Sequence, residues 1–188
     1  MEPGTFLEIV HVAQRLKDTT RHCTTSGGRQ ESVAEHSWRI SLMALLLRRQ
    51  FPEADIDRVV AMCLIHDLGE CFTGDIPVFR KTDRHRDREE RLLRNWVEAL
   101  PEEVGGELAA LYDEMQAQQT PEARLYKALD KLEAVIQHNE SPLSSWEPHE
   151  YALNQTYAFD AAAFSPWLTK LREAILEETL EKIRAEGT

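Results

Sequence analysis

The sequence predicts an all-α fold, and three observations carry that expectation. Apolar residues recur at spacings of three and four along most of the chain, which is the period of a helix face. Helix-start signals precede those stripes, with capping-box spacing at Ser32–Glu35 and a Thr120-Pro121 pair further on, and Gly or Pro punctuates the ends. No stretch alternates well enough to predict a strand. No internal repeat, low-complexity segment or linker interrupts the pattern, so residues 1–188 are expected to form one domain.

Each element follows from its own stripe. Thr5 to about Lys17 places Phe6, Ile9, Val10, Ala13 and Leu16 on one face. Residues 18–31, "DTTRHCTTSGGRQE", read as a polar loop around a Gly-Gly pair. A second helix starts at the Ser32 cap and runs to about Gln50, where Pro52 stops it. A third runs from about Asp55 to Gly69, with Gly69 and Gly74 marking its end and the next turn. Arg84–Leu100 is a charge-rich fourth, and Pro101–Gln119 continues with a weak point at Gly105-Gly106. Pro121 to about Asn139 is a helix whose stripe is Leu125, Leu129, Leu132 and Ile136. A loop over 141–148, a short helix, and a last helix from Pro166 to Ala185 complete the chain.

Bulk properties exclude several classes. A formal net charge of −11 argues against a nucleic-acid polymer as partner, because phosphate neutralisation needs an excess of Lys and Arg. The apolar run Leu42–Leu47 is far too short to span a bilayer, and the N-terminus shows no basic segment of a signal peptide. Cys23, Cys63 and Cys71 have no CxxC spacing and read as reduced thiols, so the expected compartment is cytoplasmic.

The informative residues are ionisable groups at core-facing positions. His36 heads the stripe Ile40, Met43 and Leu47, while His66 shares a face with Val59, Met62 and Glu70. Asp67 lies about 100 degrees round the helix from His66, and Asp130 borders the Leu125–Ile136 stripe. Singly, each histidine reads as a core residue, Asp130 as a solvated partner of Lys127 or Lys131, and Asp75 as a turn residue. Together, two histidines and two aspartates on three core-forming helices are N/O donors suited to a divalent transition metal.

The set His36, then His66-Asp67 thirty residues on, then Asp130 resembles the H…HD…D signature of the HD-domain metal-dependent phosphohydrolases. "ESVAEHSWRISLMALLL", "IHDLGECFTGDIP" and "ALDKLEA" resemble in particular the branch of bacterial 5′-deoxynucleotidases and their eukaryotic relatives. The motif-bearing part runs from about residue 5 to 139, and helices over 148–186 then complete the fold or form an interface. The resemblance implies an HD-type helical bundle and one divalent ion (Mn, Co, Fe, Ni or Zn) held by His36, His66, Asp67 and Asp130. It assigns Glu70 and Asp75 to the attacking water and the leaving oxygen as catalytic residues, in an order that stays open. Arg21 aligns with the family's phosphate-contacting arginine, where a guanidinium binds phosphate bidentately, and Arg29 is a second candidate for phosphate contact or for an ion pair fixing the loop. His22 stands where the bacterial enzymes carry a tryptophan that crowds the sugar, so sugar preference stays open.

The implied activity is hydrolysis of nucleoside or deoxynucleoside 5′-monophosphates to nucleoside and phosphate. Alternatives are an HD phosphohydrolase acting on a triphosphate, cyclic nucleotide or alarmone, and a metal-bound nucleotide sensor without turnover. His11, His85, His138 and His149 read as surface or packing residues. The late aromatics Trp146, Tyr151, Tyr157, Phe159, Phe164 and Trp167 suggest core completion or a subunit interface, and the branch implies a homodimer.

Overall fold

The computed structural model describes residues 1–186. Helix α1 (Pro3–Ala13) runs through a 3-10 turn into an antiparallel ribbon of β1 (Thr20–Thr24) and β2 (Gln30–Ser32). Then follow α2 (Val33–Leu46), α3 (Ile56–Ile65), the single-turn α4 (Glu70–Thr73), α5 (Asp83–Glu98) and α6 (Glu102–Ala117). The chain continues as α7 (Pro121–Glu140), α8 (Glu150–Thr156), α9 (Phe159–Ala162) and α10 (Pro166–Glu186). The fold is all-α apart from the ribbon.

The core is built where the stripes meet. Ile40 and Ala44 of α2, Val59 and Met62 of α3, and Leu125, Leu129 and Leu132 of α7 are all fully buried against one another. Burying each large side chain contributes on the order of 1.5–3 kcal/mol, so this seam dominates the energetics that position α2, α3 and α7. Ser32 caps α2 as its spacing predicts: its side chain accepts the Glu35 amide, and the Glu35 carboxylate accepts the Ser32 amide at 2.9 Å. The Asp55 and Thr120 side chains cap α3 and α7 by accepting amides of their first turns, without the reciprocal bond. No helix among the described residues is long and apolar enough to cross a membrane.

Three expectations are corrected. Part of the polar loop over 18–31 is the β1–β2 ribbon. Its sequence lacks alternation because distant partners complete it: the Thr24 carbonyl accepts from Gln137 Nε2 at 2.7 Å and Ser141 Oγ at 2.5 Å. The third helix ends at Ile65 rather than Gly69, and turns carry the chain through His66–Gly69 into α4. The Gly105-Gly106 pair does not interrupt α6. A Cβ on Gly105 would lie 2.7 Å from the Val97 carbonyl oxygen, so the glycine lets α5 and α6 approach closely.

Candidate functional site

Two histidines are aimed by their inner nitrogens. His36 is 1% exposed on α2, and its Nδ1 hydrogen-bonds to Glu133 Oε2 of α7. His66 follows α3, and its Nδ1 lies 2.9 Å from the Cys63 carbonyl oxygen, one turn back. An acceptor on Nδ1 leaves Nε2 of each ring as the outward donor atom, the arrangement that orients metal-ligating histidines. The rings sit edge to face with centroids 5.2 Å apart.

Carboxylates meet both outward nitrogens. Asp67 Oδ2 lies 3.0 Å from His66 Nε2 and 4.0 Å from His36 Nε2. Asp130 Oδ1 lies 3.3 Å from His36 Nε2 and 3.8 Å from His66 Nε2. His36, His66 and Asp67 each offer an atom within 4.8 Å of the others. Asp130 joins them through Oδ1, while its Oδ2 accepts from Lys127 Nζ at 2.7 Å. Among the described residues His66 Nε2 is buried without a well-directed hydrogen bond. Two imidazole nitrogens and the Asp67 carboxylate converge, with one nitrogen unsatisfied and Asp130 Oδ1 within 4 Å of both rings, a donor set that fits a divalent cation.

Ion pairs and hydrogen bonds balance charge within the cluster. Burial and the Arg21 charge push His36 down, but hydrogen bonds to Asp130 and Glu133 prevail and hold it up at about 9. Asp67 is destabilised by burial, yet the His66 and His36 rings draw it down to about 2. Burial also works against Asp130, where Lys127 and the histidines hold it well below the usual carboxylate range.

These groups border a cavity of about 250 Å³. His36, Asp67 and Asp130 line it, as do Glu70 and Asp75. Gly74, at φ 74°, makes the turn between α4 and Asp75 that only a glycine takes without strain. Glu70 is 5% exposed, and burial followed by the charges of Asp67 and Asp75 pushes it up to about 10. Burial also raises Asp75, against the pull of Arg21. Lys81 stands 3.9 Å from Glu70 and 2.8 Å from Glu89.

The ribbon brings Arg21 and His22 to the same cavity. Neighbours on a regular strand face opposite ways, but the register between Thr20↔Ser32 and Thr24↔Gln30 is irregular, which frees both side chains to turn inward. Arg21 Nη1 donates to Glu31 at 2.8 Å and to Glu133 at 3.2 Å. His22 Nε2 lies 3.2 Å from Glu150 Oε1. Arg29 does not line the cavity: it is exposed, and its guanidinium clasps Glu35. Its side-chain partner in the structure is Glu35, the ion-pair alternative of the two.

Sequence reasoning missed several residues in the cavity wall and directly behind it. Glu133 is fully buried and joins His36, Arg21 and Arg39. Its place four residues after Leu129 on the core stripe is the signal that could have found it. His138, read as a surface or packing residue, lines the cavity, as do Glu150 and Asn154. The late aromatics complete the core instead of forming an exposed patch: Trp146 is buried, and Tyr157, Phe164 and Trp167 pack partly buried on the main apolar cluster.

The family model for the HD domain matches residues 13–172. The 5'-deoxynucleotidase HDDC2 of Homo sapiens is 36% identical over 115 residues, covering 60% of this chain and 55% of that protein. The 5'-deoxynucleotidase HDDC2 of Danio rerio is 32% identical over 161 residues, covering 84% of this chain and 78% of that protein. The matched part thus spans about half the length of the human relative and over three quarters of the fish one. Among solved structures, a "predicted metal-dependent phosphohydrolase" from Magnetospirillum magnetotacticum superposes with a TM-score of 0.79 at 29% identity, covering 95% of each chain.

Proposed function

This chain belongs to the HD domain family, and from that premise we propose that it is a metal-dependent phosphohydrolase that releases phosphate from nucleoside 5′-monophosphates. The observation that carries the reading is the convergence of His36 Nε2, His66 Nε2 and Asp67 Oδ2 beside two further carboxyls on the cavity wall, buried Glu70 and half-buried Asp75. A structural metal site needs the ligands alone. The similarity to the two 5'-deoxynucleotidases supports the substrate class.

On this reading His36, His66, Asp67 and Asp130 hold one divalent ion, drawn from Mn, Co, Fe, Ni or Zn. When bound, the ion supplies an acidified water and polarises a phosphoryl oxygen. Arg21 binds the phosphate with a guanidinium already oriented by Glu31 and Glu133, so little ordering remains to be done. Of Glu70 and Asp75, one removes a proton from the attacking water and the other protonates the leaving oxygen. Lys81, close to Glu70, stabilises the ionised form of that carboxyl. Glu133 holds the His36 ring and Arg21 together and couples the two subsites.

We further propose a homodimer formed through the outer face of α2. Trp38 is 63% and Leu46 73% exposed there, with Leu42 and Leu45 beside them, a row of apolar side chains uncommon on a solvated helix. Sedimentation would show a two-chain species that Trp38→Glu converts to one chain.

The test of activity is phosphate release by chelator-stripped protein. Ribo- and deoxynucleoside 5′-monophosphates, 3′-monophosphates and triphosphates would each be tried with Mn, Co, Fe, Ni, Zn and Mg. Release confined to 5′-monophosphates and dependent on added metal is the expected result. No release with any metal, while metal still binds, would transfer the site to a sensor.

A further inference from the structure

A second polar wall of the same cavity comes from α8, outside the helices that carry the HD motif. Glu150 is 1% exposed. Its Oε2 accepts the Glu147 amide at 2.6 Å, which closes the turn leading into α8 and fixes the carboxylate. Its Oε1 lies 3.2 Å from His22 Nε2 and 3.5 Å from His138 Nε2, but among the described residues no well-directed hydrogen bond reaches it. One turn on, Asn154 is 3% exposed, and its Nδ2 likewise lacks an acceptor. Both residues line the cavity.

The wall is also rigid. Arg172, fully buried on α10, donates to the carbonyls of Asn154 and Tyr157 at 2.7 Å each and so ties down the end of α8. Phe79 packs edge-on to His22 with centroids 5.5 Å apart. A preorganised, buried acceptor and donor at i and i+4, both unsatisfied, cost free energy unless something completes them. An alcohol does so economically, because one hydroxyl both donates and accepts.

The sugar is the part of a nucleoside that carries hydroxyl groups able to donate and accept at one atom. Resting on the nucleotide reading above, we propose that Glu150 and Asn154 recognise a sugar hydroxyl of the nucleoside. Glu150 Oε1 accepts the hydroxyl proton, and Asn154 Nδ2 donates to the hydroxyl oxygen. A site built in this way rejects an analogue lacking the group more strongly than an apolar pocket could, because both protein atoms are then stranded.

The experiment is calorimetric titration of the full chain with adenosine, 2′-deoxyadenosine and 2′,3′-dideoxyadenosine, and with thymidine against 3′-deoxythymidine. Free nucleosides make the result independent of turnover. Wild-type protein is expected to lose affinity about ten-fold or more when the recognised hydroxyl is removed. The adenosine/deoxyadenosine arm reports the 2′ group and the deoxy/dideoxy arms the 3′ group. In Glu150→Gln and Asn154→Leu that ratio is expected to fall toward one, with thermal melting checking that both fold. Equal binding of all sugars by wild type, no nucleoside binding, or an unchanged ratio in both variants overturns the proposal, and the wild-type arm decides even if a variant unfolds. Phosphate release is scored separately. Turnover without hydroxyl preference sinks the recognition pair and leaves the phosphohydrolase reading standing; hydroxyl-dependent binding without turnover does the reverse.

Discussion

Arg21 lies on β1 and Arg29 in the turn just before β2, and each pairs with glutamate. Arg21 is 14% exposed, lies against Glu31 and fully buried Glu133, and reaches the cavity. Arg29 is 62% exposed and clasps Glu35 in solvent. The residue types match, but the consequences do not. A buried ion pair is costly to desolvate and costly to break, whereas an exposed pair is screened and contributes little. Charge placed where water is excluded can act on a ligand, because nothing else competes for its field. The contrast teaches that function here should be sought among buried charges, and it can be broken at several depths.

The largest effect is expected at the cluster itself. Asp67→Ala removes the carboxylate that faces both histidine nitrogens, so bound metal and phosphate release should disappear together. The loss of metal affinity should exceed about 100-fold, the upper range for outer partners of a ligand. Metal analysis beside a phosphate assay checks it, and full metal content with full activity would break the assignment. Glu70→Gln separates the two readouts. Metal content should stay at the wild-type level while turnover falls about 10²–10⁴-fold, the usual reach of a positioned acid or base. A variant that loses metal in step with activity would make Glu70 a ligand instead.

Glu133→Gln sharpens the comparison from below the site. The glutamate receives Arg21 and holds His36 Nδ1, although it is not expected to touch substrate or metal. Metal affinity should weaken about 10–100-fold, and stability should fall by about 3–5 kcal/mol because His36, Arg21 and Arg39 lose a shared buried counter-charge. Denaturant titration and metal competition measure the two effects. A large effect on one and none on the other would mean that the network is not shared.

Much of this arrangement was legible in the sequence. The helix periods place His36, the Leu125–Ile136 stripe and the Ser32 and Thr120 caps where the structure has them, because each depends on neighbours within one or two turns. The ribbon was not legible, since Gln137 and Ser141 complete its hydrogen bonding from over a hundred residues away. Glu133 was missed for the same physical reason. In "DKLEA" it resembles any solvated helix glutamate, and only Arg21, Arg39 and His36, brought from other elements, make its burial tolerable. Glu150 and Asn154 lie on a short helix with no apolar stripe to mark which face turns inward.

The smallest expected effect tests the exposed half of the contrast. Arg29→Ala removes the partner that, with the Ser32 amide, draws Glu35 down to about 2. The capping box itself survives, because Ser32 and Glu35 still exchange their hydrogen bonds. Solvent takes over the guanidinium's role on a carboxylate that is 40% exposed. The melting temperature should therefore move by no more than about 2 °C, and phosphate release from a saturating 5′-monophosphate should be unchanged. A rise in KM at unchanged stability would instead bring Arg29 to the phosphate, and the ribbon would then have to close over the cavity when substrate binds.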